Sequence, residues 1–317
     1  MRLLNFIVKR LIATVFILIG VAAVTFFLVR LAPGDPVKQM LGQHAGDTVT
    51  YNRIYHQMGF DQPLWIQFRT YVWNAMHGDL GTSVNQLGVP VTTIVGQGLP
   101  VTLELGGLAT LIALVFGIPL GVLAAVRHNR LMSDNVNMGI MMTLYSLPPF
   151  VIIPVVWLVF GIWLKDTIFH LPVTGWDGIG DPQYWLAPSF VFAAGLAGFF
   201  ARSMRSFMLE ELTKDYIRTA RAKGMPERTV IYIHALKNTL LPFASVLGPT
   251  VAFLVVGAFI IENEFGIPGI AQITVQSTLS NDYSVTLGTT LILATAVVIA
   301  NALTDIFYTI VDPRVSL

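Results

Sequence analysis

The sequence predicts an all-α integral membrane protein with six transmembrane helices and an external helical segment between the first two. Three observations predict it. Only 12% of the 317 residues are charged, about half the share usual in a soluble domain. The uncharged residues gather into long apolar windows. The Arg and Lys residues crowd onto every second connection between those windows.

A charged side chain at the bilayer centre costs roughly 2.5–3.5 kcal/mol, so charge-free windows mark spans. Six are strongly apolar: 11–29, 105–126, 135–164, 182–201, 238–261 and 283–304, each 19 residues or longer. A spanning helix needs about 20 such residues. Arg2, Lys9 and Arg10 precede the first window, as they would in a signal peptide. Its apolar run is too long for one, however, and Arg30-Leu31-Ala32-Pro33-Gly34 offers no A-x-A-like cleavage site. Two further charge-free windows, 80–103 and 265–281, are rich in Gly, Gln, Asn, Ser and Thr with scattered Pro. They are expected to be loops or partly embedded segments.

Basic residues accumulate on the cytoplasmic side of a membrane protein. With six alternating spans, fourteen of the nineteen fall on the side that holds both termini. Eight of these lie between the fourth and fifth spans: Arg202, Arg205, Lys214, Arg218, Arg221, Lys223, Arg228 and Lys237. Arg127, Arg130 and Arg314 share that side. Arg30, Lys38, Arg53, Arg69 and Lys165 lie opposite. Both termini are therefore expected in the cytoplasm. A net charge of +1 gives no ground for nucleic-acid binding, and the lack of cysteine excludes disulfides and thiolate metal sites.

In the external segment, Asp61-Gln62-Pro63 resembles a helix start, with a capping carboxylate and then proline in the first turn. Trp65, Phe68, Tyr71, Val72 and Met76 follow at helical spacing and form an aromatic face. That face suits packing on the membrane or the spans, or receiving a substrate or partner. Trp176 and Trp185, in and after the next external loop, suit an interfacial belt.

The basic cytoplasmic segment is periodic. Met204, Met208 and Leu212 prolong the fourth span as a helix. Asp215 or Thr213 can cap a short helix from Tyr216 to Lys223. Gly224 stops it, because glycine accepts the left-handed conformation. Pro226 lets a helix restart, and Glu227 suits the new N-terminus. The segment is expected to end at Leu241-Pro242. In the third window, Tyr145-Ser146-Leu147-Pro148-Pro149-Phe150 breaks the helix, because proline lacks a donor and clashes one turn back. Broken helices are tolerated where they line a cavity. Tyr145, Ser146, Pro148, Pro149 and Phe150 are thus candidates for a translocation path, with a packing kink as the alternative.

No nucleotide-binding phosphate loop, H-E-x-x-H site or G-x-S-x-G elbow occurs. The histidines, His44, His56, His77, His128, His170 and His234, avoid the apolar windows. Intramembrane ionisable residues are few: Glu104 opens the second span and Asp305 lies near the end of the sixth, both at span edges. A wide bundle without its own energy-harvesting chemistry, carrying an elaborate cytoplasmic helix-turn-helix, points to a pore subunit driven by a separate motor.

Asp215-Tyr216-Ile217-Arg218-Thr219-Ala220-Arg221-Ala222-Lys223-Gly224 resembles the EAA loop of ABC-importer membrane subunits. Aligned on Gly224, Arg218 and Thr219 replace the usual Glu and first Ala. That departure resembles the B-type subunit of the dipeptide, oligopeptide and nickel permease group. Arg30-Leu31-Ala32-Pro33-Gly34-Asp35-Pro36, Asp61-Gln62-Pro63-Leu64-Trp65, Gly78-Asp79-Leu80-Gly81, Leu99-Pro100-Val101-Thr102-Leu103, His234-Ala235-Leu236-Lys237-Asn238 and Asp312-Pro313-Arg314 extend the likeness along the whole chain. Phe265 and Pro268-Gly269 fit too, with Ala271 where Gly is common.

The resemblance implies the type I ABC importer permease fold. It implies a non-catalytic pore subunit in a bacterial or archaeal plasma membrane. Its partners would be a second homologous permease, one or two ATPase subunits carrying ATP and Mg, an external solute-binding protein, and lipid. No cofactor is expected on this chain. Oligopeptide or dipeptide import is implied, with nickel or another small solute open. Tyr216, Arg218, Thr219, Ala220, Arg221, Ala222, Lys223 and Gly224 would couple to the ATPase. The organisation expected is 1–30 for the N-terminus and first span, 31–98 external, 99–308 the membrane core with a coupling loop at 208–240, and 309–317 a cytoplasmic tail. An ion-gradient-driven secondary transporter is the alternative.

Overall fold

A computed structural model describes residues 2–31, 34–41, 46–86, 88–128, 136, 139, 143 and 145–311. Ala32, Pro33, His44, Arg130, most of the start of the third window, and Asp312-Pro313-Arg314 lie outside the described residues.

The described elements are helical: α1 (Arg2–Leu31), α2 (Pro36–Leu41), α3 (Thr48–Gln57), α4 (Leu64–Met76), α5 (Val91–Val126), α6 (Pro149–Val156), α7 (Pro182–Leu212), α8 (Asp215–Ala222), α9 (Leu236–Phe265), α10 (Ile270–Leu279) and α11 (Tyr283–Val311). A π-helical stretch, Trp157–Trp163, prolongs α6. A short turn, Glu227–Thr229, and a second π-helical stretch, Val230–Ala235, lead into α9.

Among the described residues five helices are long and apolar enough to cross a membrane: Val8–Leu31, Val91–Val126, Pro182–Leu212, Glu227–Thr250 and Tyr283–Thr304. The third window supplies a shorter apolar helix, Pro149–Trp163. Five long helices and one short one therefore stand where six spans were expected.

Several expectations need correction. Window 80–103 is not all loop, because α5 begins at Val91 and runs 36 residues, about 54 Å at 1.5 Å per residue. Window 265–281 contains α10. Their polar, glycine-rich sequence serves close packing instead. A Cβ on Gly98 would meet the Ile270 nitrogen at 3.0 Å, and one turn on, the Thr102 hydroxyl accepts the Ile270 N–H at 2.9 Å. Thr102 thereby satisfies a free donor at the start of α10. Likewise α9 does not end at Pro242. It runs through Pro242 and Pro249 to Phe265 and stops at Gly266, whose φ is +62°.

The chain divides into two compact units: Met1–Thr102 with Pro268–Ile299, and Leu103–Ile267 with Ala300–Ser316. In the first, α4 begins after Pro63 with no side-chain cap, and Asp61 is instead engaged by His56 at 2.9 Å. The aromatic face of α4 packs on α1, with the Phe68 and Tyr71 rings 5.5 and 6.0 Å from that of Phe26. Trp65 and Met76 remain exposed. Buried Asp282 accepts from the Ser83 hydroxyl and from the Val84 and Asn85 N–H groups. That carboxylate pins the 83–85 turn to the start of α11.

The second unit is built on α7. Gly117 and Gly121, spaced four apart on α5, meet Ala197, Phe200, Ala201 and Met204 of α7. Small residues at this spacing let helix backbones approach closely, which is how apolar helices associate where no hydrophobic force separates them from lipid. α9 packs on the same helix, with Phe243 edge-on to Phe200 at 5.5 Å.

Candidate functional site

The basic segment predicted to be a helix-turn-helix is one. α7 extends to Leu212 with Met204 and Met208 fully buried, as their spacing predicts. α8 follows after two residues. Its N-cap is Lys214, so neither Asp215 nor Thr213 caps it; Asp215 is its first residue, where the helix dipole favours an acid. Gly224 takes φ +74°, and the helix ends there.

α8 has two faces. Ile217 and Ala220 are buried against their own unit. Arg218, Thr219, Arg221, Ala222, Lys223 and Gly224 are exposed, and Tyr216 is partly so. Of the small residues among those expected to couple to an ATPase, Ala220 thus points inward, while Thr219 and Ala222 remain outside.

The charges differ in their engagement. Arg221 forks onto Glu227 through two hydrogen bonds, of 2.7 and 3.2 Å, which ties α8 to the turn that restarts the chain. That fork raises the Arg221 guanidinium above its ordinary value. Arg218 reaches Asp215 at 3.6 Å with both side chains exposed, a geometry that contributes little in water. Lys223 has no ion pair among the described residues.

The anchor of α8 is Tyr216. Its hydroxyl donates to Glu211 and accepts the Asn238 amide at 2.9 Å. It therefore joins the ends of α7, α8 and the start of α9. Glu211 is buried and also takes the Lys214 ammonium at 2.6 Å. Burial first, then the hydrogen bond to Glu211, raises the Tyr216 phenol above its ordinary value. The Glu211 hydrogen bond likewise raises Lys214.

Sequence reasoning passed over Glu211 and Asn238. A signal existed: Glu210 and Glu211 close α7, where the dipole disfavours acids, so a local cationic or hydroxyl partner is required.

The third-window candidates lie together. The helix breaks at Leu147-Pro148, and α6 opens with Pro149 after Pro148 as N-cap. Tyr145, Ser146, Pro148 and Phe150 are exposed and Pro149 is half-buried. The Tyr145 ring stacks on Phe199 at 6.2 Å, and the Arg202 guanidinium lies 4.9 Å above it. No group of three or more acids or histidines that could hold a metal occurs among the described residues.

A multi-helix membrane protein with a short, exposed, basic helix carried on two spans is a transport subunit in form. The chain belongs to the family of binding-protein-dependent transport system inner membrane components, which it matches over residues 117–317. The N-terminal model of the same kind of membrane component matches residues 3–105. The chain is 35% identical to the dipeptide transport system permease protein DppB of Escherichia coli K12, over 99% of both chains. It is equally similar, over the same shares, to the oligopeptide transport system permease protein OppB of Salmonella typhimurium. It is 36% identical to the probable D,D-dipeptide transport system permease protein DdpB of Escherichia coli K12, over 95% and 94% of the two chains. Family membership does not favour the ion-gradient-driven carrier.

Proposed function

We propose that this chain is a pore-forming permease subunit of an ATP-driven importer of dipeptides or oligopeptides. The observation that carries the substrate class is the similarity along nearly the whole chain to permeases named for dipeptides and oligopeptides. The basic-residue asymmetry supports six spans with both termini in the cytoplasm. α8 then faces the cytoplasm and docks on a separate ATPase that carries ATP and Mg. Its outer face, Arg218, Thr219, Ala222 and Lys223, meets the motor, while Ile217, Ala220 and Tyr216 transmit the movement to α7 and α9. Residues 31–98 are external and 99–308 form the membrane core. A second permease chain and an external binding protein complete the complex.

Purification of the tagged chain from its native membrane is expected to bring down an ATPase and a second membrane chain. Vesicles holding that complex are expected to take up a labelled dipeptide only with ATP and binding protein. Uptake driven by an ion gradient alone would overturn the reading.

A further inference from the structure

Two cavities, of about 530 and 410 Å³, open beside Arg30 at the end of α1. They share Arg30, Phe60, Gln67 and Tyr283 as walls. The Arg30 guanidinium carbon lies 4.3 Å from the Phe60 ring centre and 5.4 Å from that of Phe26. Contact with ring faces does not engage its five in-plane N–H donors, and among the described residues none of them is hydrogen-bonded. Among the described residues no carboxylate pairs with it, and its ionisable neighbours are the phenols of Tyr283 and Tyr55.

The acids on the cavity walls are already engaged. Asp35 holds the Tyr51 hydroxyl at 2.9 Å and the Val37 and Lys38 N–H groups. Asp79 holds the Gly81 N–H. Gln67 donates to the Gln62 and Phe60 carbonyls, while its own buried carbonyl oxygen has no partner among the described residues. The result is a half-buried fork of donors with no anion, set among aromatic walls. Such a group is unfavourable until a counter-charge arrives.

A guanidinium fork matches a carboxylate with two parallel hydrogen bonds. The larger cavity has the size of a small-ligand site, and its Phe26, Phe60 and Tyr71 walls suit a side chain of variable shape. We propose that this cavity receives the C-terminal residue of a peptide, with Arg30 holding its carboxylate. The proposal rests on the peptide-import reading and gives it a second contact point outside the binding protein.

The chain has no cysteine, so Thr70→Cys, on the cavity wall, gives this chain a single label site, whose labelling is read on this chain's own band after the reconstituted complex is denatured and its chains separated; Asn74→Cys serves if that variant does not assemble. Alanyl-phenylalanine is expected to slow maleimide labelling. Its C-terminal amide is expected to need about tenfold more peptide for the same protection, and Arg30→Gln is expected to weaken protection by the acid to the same degree. Equal protection by acid and amide, or none, overturns the proposal. So does protection by peptide-free binding protein alone, which would assign the anion to that protein's surface. Dipeptide uptake by the wild-type complex, measured in parallel, separates the two readings. Uptake without protection sinks only the cavity assignment, whereas ATP hydrolysis without uptake sinks peptide import and the cavity with it.

Discussion

The Tyr216 hydroxyl donates to the buried carboxylate of Glu211, so a phenol links α8 to the end of α7 beside the buried contacts of Ile217 and Ala220. Removing that hydroxyl leaves the Glu211 carboxylate with the Lys214 ammonium as its side-chain partner among the described residues and frees the Asn238 amide. Leaving a buried acceptor short of a donor costs about 1–3 kcal/mol. Tyr216→Phe keeps the ring and loses only the link. ATP-driven uptake by the assembled complex is expected to fall several-fold while ATP hydrolysis persists. Unchanged uptake would show that α8 does not act through Tyr216.

Gly224 isolates a backbone effect. A Cβ there would meet nothing within 4 Å, yet φ is +74°. The left-handed conformation costs a residue with a side chain roughly 1–2 kcal/mol, and Asn tolerates it better than most. Uptake is expected to fall in the order Gly224→Asn, Gly224→Ala, Gly224→Val, with the valine variant uncoupling ATP hydrolysis from transport. If the three variants behave alike, side-chain contact with a partner rather than backbone strain governs the position.

The long apolar helices and the basic helix-turn-helix were legible because each obeys a one-dimensional rule. Charge exclusion marks α7 and the apolar body of α5, and a glycine between two polar helical runs marks Gly224. What escaped depended on contacts distant in sequence. Gly98, Thr102 and Ile270 are ordinary loop-like residues until α5 and α10 meet, so windows 80–103 and 265–281 read as irregular. Pro242 sits inside α9 because the surrounding helix tolerates the lost donor; the sequence alone favours a stop there. Ala220 faces inward because Ile217 and Ala220, three apart, share one face, a periodicity that the sequence of α8 already carries.

The break before α6 can be tested by accessibility. Ser146 and Phe150 flank Leu147-Pro148 and are both exposed, and the cysteine-free chain gives each Cys variant a clean background. If this break borders the translocation path, Ser146→Cys and Phe150→Cys will react with a membrane-impermeant thiol reagent, and the rate will change when ATP is trapped on the complex. Absence of labelling in every transport state would reduce the break to a packing kink.

Gly121 and Ala201 decide how closely α5 and α7 approach. A Cβ on Gly121 would stand 2.5 Å from the Ala201 carbonyl oxygen and 2.7 Å from the Met204 Cβ. Neither atom is the tip of a flexible side chain, so the helices themselves would have to part. Overpacking of this kind costs typically 1–3 kcal/mol, and separation also loosens Phe200 and Met204, which are fully buried. Gly121→Val is therefore expected to lower the thermal unfolding midpoint of the detergent-solubilised chain by several degrees. Gly121→Ala is expected to do so less, because its added methyl demands a smaller displacement. The effect should appear in the isolated chain as well as in the complex, since both surfaces belong to the same unit. A wild-type midpoint for Gly121→Val would mean that the α5–α7 contact is looser than the spacing of Gly117, Gly121, Ala197 and Ala201 requires.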